Sequence, residues 1–169
     1  PPDNGPSCGV NSFSAETTVS TSEGDIPISE IELGDTVLAF NEETGEIGEY
    51  TVTATISHID EIIIHLYIDD ELIETTPEHP FYTDDGEWVN AGELEVGEQI
   101  LSLDGDYDTV ESVVVIGDAN QRMYNLTINE AHTFFVSSGQ WLVHNSNLCL
   151  DYDDLTDQDL IEIDGPVQI

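Results

Sequence analysis

An apolar run near the end of the chain, Trp141-Leu142-Val143, leads into His144-Asn145-Ser146. The side-chain nitrogen of Asn145 can attack its own backbone carbonyl, closing a five-membered succinimide and expelling the amide of Ser146. An amide nitrogen leaves readily only if something protonates it, and the adjacent His144 titrates near neutrality. Ser12, in Ser12-Phe13-Ser14-Ala15-Glu16-Thr17, follows a linker-like stretch directly. Its hydroxyl can attack the carbonyl of Asn11 and shift the upstream chain from amide to ester, given a base and a polarised peptide bond. Each site has a plainer reading: Asn-Ser after a strand is an ordinary turn, and a serine at a strand edge needs no chemistry.

Two further segments could serve those bonds. In Thr75-Thr76-Pro77-Glu78-His79-Pro80-Phe81 the two prolines restrict the backbone around His79 and aim its imidazole. His79 is a candidate to protonate the leaving nitrogen of Ser12, with the Thr76 hydroxyl or a backbone amide holding the oxyanion. The plain alternative is a solvated histidine in a surface turn. His132, in Glu130-Ala131-His132-Thr133-Phe134, is placed to activate the Asn145 amide or the Asn145–Ser146 carbonyl, or else only to cap a strand. His58 and His65 fall inside β-type runs and are read as structural. A glycosidase-type carboxylate pair stays open among so many acids. A Ser-His-Asp hydrolase also stays open, although no serine sits in a glycine-flanked nucleophile elbow.

The elements that must carry these residues read as strands. Thr17–Thr21, Thr36–Phe40, Tyr50–His58 and Ile62–Ile68 show period-2 or β-branched character, separated by turn clusters such as Asn41–Glu46. Ile28–Ile31 predicts at most one turn of helix or 3₁₀, so the expected class is all-β. The pattern then repeats. Ile31-Glu32-Leu33-Gly34-Asp35-Thr36-Val37-Leu38 is echoed by Leu94-Glu95-Val96-Gly97-Glu98-Gln99-Ile100-Leu101, and His65-Leu66-Tyr67-Ile68 by Asn125-Leu126-Thr127-Ile128. A duplicated β unit with pseudo-two-fold symmetry would bring its first and last residues together. Residues 1–11 read as a linker flank, 12–145 as the unit, and 146–169 as an acidic downstream flank.

Composition narrows the partners. The chain has 37 acidic residues against one basic residue, Arg122, for a formal charge of −36. Nucleic acid and anionic membrane both need clustered Lys or Arg and are not expected as partners. The acidity reads as a solvated surface suited to high salt or secretion, and no stretch has the regular calcium-loop pattern. No run is long enough to span a membrane, and the opening Pro1-Pro2 is read as part of a longer secreted or cell-surface precursor. Cys8 and Cys149 are too few for a disulfide scaffold or a zinc site, so no metal and no cofactor are expected.

Taken together, these blocks resemble the Hint superfamily, which includes inteins, bacterial intein-like domains and pretoxin Hint domains. The resemblance rests on Ser12–Thr17, on Thr76-Pro77-Glu78-His79, on Met123–Ile128 with His132-Thr133-Phe134, and on Leu142-Val143-His144-Asn145. It spans Ser12–Asn145 with the blocks in order. Ser12 stands where the family most often has cysteine, which implies an ester in place of a thioester. Asn125 stands where many inteins have aspartate. The short interval between the Thr-x-x-His block and the late block leaves no room for an inserted endonuclease.

The resemblance implies an all-β horseshoe of two pseudo-symmetric subdomains that acts as a monomer on its own flanking segments. Ser12 would attack Asn11, helped by His79 and Thr76. Asn145 would cyclise with help from His144 and His132, and Ser146 could take the acyl group. Capture by Ser146 splices the flanks, and capture by water cleaves them apart. If the ends meet, Cys8 and Cys149 come within disulfide reach. A different class of reading is a non-catalytic acidic β module that binds a partner or calcium.

Overall fold

Residues 12–144 are described by the computed structural model, and they form strands with two short 3₁₀ turns. The first half contains β1 (Phe13–Ser14), β2 (Thr18–Thr21), β3 (Gly24–Pro27), a 3₁₀ turn at Ile28–Glu30, β4 (Thr36–Asn41), β5 (Glu46–Asp60) and β6 (Ile63–Ile68). The second repeats that order with β7 (Glu71–Thr75), β8 (Pro80–Tyr82), β9 (Trp88–Asn90), a 3₁₀ turn at Ala91–Glu93, β10 (Gln99–Leu101), β11 (Tyr107–Ile116) and β12 (Gln121–Ile128). Two closing strands follow, β13 (Thr133–Val136) and β14 (Trp141–His144). The all-β class and the duplication expected from the sequence are both present.

The strands form two sheets. The larger runs β10-β11-β6-β7-β1-β12-β5-β4, and the smaller runs β3-β2-β13-β14-β8-β9. Exchanging β1 with β7, β4 with β10, β5 with β11 and β6 with β12 turns the larger order into its own reverse, so a pseudo-two-fold passes between β7 and β1. The halves also trade partners: β5 pairs with β12 and β6 with β11, each across the repeat. Neither half can therefore complete its sheet alone.

β5 is longer than the Tyr50–His58 run predicts, because it is paired at both ends. Glu46 lies opposite Asn41 of β4, and Asp60 lies opposite Gln121 of β12. Central strands behave differently. Thr133–Val136 is buried throughout and Trp141–Val143 likewise, as expected for short apolar runs covered on both faces. Phe13, Phe81, Phe134 and Trp141 anchor the core. Trp141 folds back over Gly139, where a Cβ would lie 2.2 Å from Cζ2 of the indole.

Candidate functional site

Ser12 sits at the pseudo-two-fold. Phe13 is in register with Thr75 on one side and Tyr124 on the other, so the residue before it faces Thr76 and Asn125. Ser12 is fully buried. Its backbone N–H donates to Thr76 Oγ1 at 2.8 Å, and its carbonyl accepts from the Thr76 N–H at 2.9 Å. Thr76 thus holds the nitrogen of the Asn11–Ser12 bond through its hydroxyl.

Across β12 from Ser12 stands His58, whose place inside a β-type run suggests a structural role. Ser12 Oγ lies 3.1 Å from His58 Nε2. His58 and Asp60 are two apart on β5 and share a face of the sheet, since successive strand side chains alternate. His58 Nδ1 comes within 2.8 Å of Asp60 Oδ2, in a bent approach without the alignment of a full hydrogen bond. Burial raises the Asp60 carboxyl above its usual range, the nearby imidazole works the other way, and Glu78 adds to the rise. His65, the other histidine read as structural, pairs instead with Glu74 at 3.1 Å across the β6–β7 hairpin.

His79 is buried completely, which removes the solvated-turn reading. Its ring packs on Phe13 with centroids 4.2 Å apart. Burial, with the nearby His144, holds its pKa down to about 3, against smaller upward contributions from Asn125 and the Pro80 backbone. Fewer than about one imidazole in 10³ then carries a proton at neutral pH. Neither ring nitrogen of His79 has a well-formed hydrogen bond among the described residues, nor does the side-chain nitrogen of Asn125, which is also buried. The Asn125 oxygen accepts from the Leu126 N–H at 2.8 Å. Buried polar groups normally find partners, and none with good alignment stands among the described residues.

The third group lies at the end of β14. Thr133 of β13 is in register with His144, and Val143 with Phe81 of β8, so His132 just before β13, His79 just before β8 and His144 at the end of β14 come together. His144 is a quarter exposed and has its pKa lowered, first by burial and then by His132, with Glu42 opposing. Glu42 lies 3.8 Å from His144 Nε2 and accepts from Trp88 Nε1 at 2.8 Å, while the Trp88 ring stands edge-on to the imidazole at 5.0 Å.

Glu42 is held in place by its neighbours. Asn41 Oδ1 accepts from the Glu43 and Thr44 N–H groups, and Thr133 Oγ1 both donates to and accepts from the Phe40 backbone. His132 is exposed and adopts a left-handed φ of 57°. The arrangement can polarise a carbonyl and move a proton at one end of β14.

Asn11, Asn145 and Ser146, and the Cys8–Cys149 pairing, lie outside the described residues. Among the described residues, no group of three or more His, Cys, Asp or Glu side chains is arranged to hold a metal ion. No helix of the described residues is long and apolar enough to cross a membrane.

A family model described as the pretoxin HINT domain matches residues 18–146. The solution structure of a bacterial intein-like domain from Clostridium thermocellum is 38% identical, with a TM-score of 0.75 over 79% of this chain and 97% of that one. A DnaB intein from Synechocystis sp. is 22% identical, with a TM-score of 0.68 over 79% of this chain and 97% of its own. The TvoVMA intein is 19% identical, with a TM-score of 0.69 over 81% of this chain and 99% of its own. The last two likenesses concern the fold. No curated protein sequence matches the chain. Protein splicing or self-cleavage is the general activity of this fold family. With a family model over most of its length and a 38% identical structure beside it, this chain belongs to the pretoxin Hint domains.

Proposed function

We propose that residues 12–145 process their own flanks, cutting at Asn11–Ser12 by an N–O acyl shift and at Asn145–Ser146 by asparagine cyclisation. The observation that carries this reading is the treatment of Ser12, a buried serine whose hydroxyl meets an imidazole and whose amide nitrogen is gripped by Thr76.

In the first step Ser12 Oγ attacks the Asn11 carbonyl carbon. Thr76 holds the nitrogen that leaves. His79 is neutral, so it acts as an N–H donor beside that bond. In the second step the Asn145 side-chain nitrogen attacks its own carbonyl. His144 gives a proton to the leaving amide of Ser146, and His132 polarises the carbonyl. Ser146 takes the acyl group by transesterification before that release when the flanks are spliced; water takes it when they are cleaved apart. The domain needs no partner beyond residues 1–11 and 146–169, works as a monomer, and uses no metal or cofactor.

Intact mass against time after refolding tests the reading. Fragments ending at residue 11 and beginning at residue 146, or a spliced 1–11/146–169 product, are expected. A mass that stays constant under all refolding conditions, from low to molar salt, overturns it.

A further inference from the structure

We infer that His58 is the base that activates Ser12, with Asp60 as its positioning residue, so that the N-terminal cut runs on a serine, a histidine and an aspartate drawn together by β1 and β5. The inference rests on the proposed acyl shift at Ser12 and names the group that starts it.

Several observations converge. A serine hydroxyl is a weak nucleophile and needs an adjacent base. Among the described residues the basic atom bonded to Ser12 Oγ is His58 Nε2, at 3.1 Å, within the range for proton abstraction. The second ring nitrogen faces Asp60 Oδ2 at 2.8 Å, which favours the tautomer with the proton on Nδ1 and the lone pair on Nε2, towards the serine. Both side chains are largely withdrawn from solvent, at 26% and 14% exposure, so water does not compete freely for the imidazole. His79 is poorly suited to the task, because it packs against Phe13 and makes no bond to the Ser12 hydroxyl.

The step balances as an isomerisation. Ser12 Oγ–H passes its proton to His58 Nε2 as the Oγ–C bond to the Asn11 carbonyl forms and the carbonyl π electrons move to oxygen. The tetrahedral oxyanion collapses, the C–N bond to Ser12 breaks, and His58 returns the proton to that nitrogen. An ester and a free amine result, His58 ends neutral, and no co-reactant is consumed.

The test uses the full chain carrying Asn145→Ala, which blocks the second cut, and measures scission at residue 11 by saturating hydroxylamine with mass detection. His58→Ala and Asp60→Asn are compared in two backgrounds, Ser12 and Ser12→Cys. A thiol ionises near pH 8.5 unaided and needs a base far less. With Ser12, His58→Ala is expected to slow scission about 10²- to 10⁴-fold, the range for general base catalysis, with partial recovery in imidazole. Asp60→Asn is expected to slow it by a smaller factor. In the Ser12→Cys background both losses should shrink below about tenfold.

Folding is checked separately by release at Ser146 in chains that keep Asn145, and His58→Gln is run alongside in case the alanine variant collapses. Equal losses in both backgrounds mean a structural role and overturn the inference, as does a Ser12 chain indifferent to His58→Ala. No scission at residue 11 in either background with His58 intact would instead sink the acyl shift itself.

Discussion

Holding His79 neutral in the core makes the fold sensitive to acid in a way that can be worked out. The unfolded chain binds a proton on this histidine near pH 6.5, and the folded chain only near pH 3. Between those values the unfolded state holds more protons, so stability rises with pH there. The stabilisation is complete above pH 6.5 and drains away as pH falls towards 3. At about 1.4 kcal/mol for each pH unit, acidification from 7 to 4.5 removes about 2–3 kcal/mol, and the ceiling is about 5 kcal/mol. A domain of this size has about 5–15 kcal/mol in total, so the effect is measurable.

Other groups titrate too. Asp60, with its raised carboxyl, gains stability as pH falls through its own window, and protonating the 37 acids relieves repulsion. These contributions are common to the parent and to a His79→Gln variant, which cannot titrate. Urea midpoints of both, at pH 7 and 4.5 and in a Ser12→Ala, Asn145→Ala background that keeps the chain whole, isolate the histidine. The parent should lose about 2–3 kcal/mol more than the variant between the two pH values. Parallel losses in the two proteins would refute a neutral, buried His79.

The two cuts should separate genetically. Ser12→Ala should abolish ester formation yet allow release at Ser146, while Asn145→Ala should do the reverse, each at a cost of several orders of magnitude; fragment masses decide, and unchanged fragments from both variants would point to a contaminating protease. Glu42→Gln should lower the basicity of His144 further and slow release at Ser146 at neutral pH, but by about fivefold at most, since Glu42 is nearly half exposed and such a pair is worth about 1 kcal/mol or less. A time course of release checks this, and a rate above the parent's contradicts it. Gly139→Ala should cost about 1–3 kcal/mol by driving a methyl into the Trp141 indole, and a urea midpoint equal to the parent's would show that the loop gives way freely. The charge of −36 predicts a melting temperature that rises between low and molar salt, where the screening length shrinks to about 3 Å; a flat or falling curve removes repulsion as a factor.

Much of this protein was legible in one dimension. Strand-period alternation with turns at short intervals dictated an all-β chain, because a half-buried strand must show one face to the core and the other to water. The echo of Ile31–Leu38 in Leu94–Leu101 reported the duplication, and the matching 3₁₀ turns at Ile28–Glu30 and Ala91–Glu93 stand just before each copy. Ser12, Thr76 and His79 were singled out by residue type and order.

Tertiary structure alone decided what those residues meet. Alternation along β5 says that His58 and Asp60 share a face, but not which strand lies beside them. That depends on the exchange of β5 and β12 across the repeat, which brings His58 to a serine 46 residues away in sequence. The same holds for Glu42, a turn residue in an acidic chain that becomes the neighbour of His144 only when β4 docks on β13 through Thr133. Burial of His79 likewise came from Phe13 and Phe134 closing over it. A local pattern records which way a side chain points; its partner is chosen by pairing between distant strands, and that choice is made by the fold as a whole.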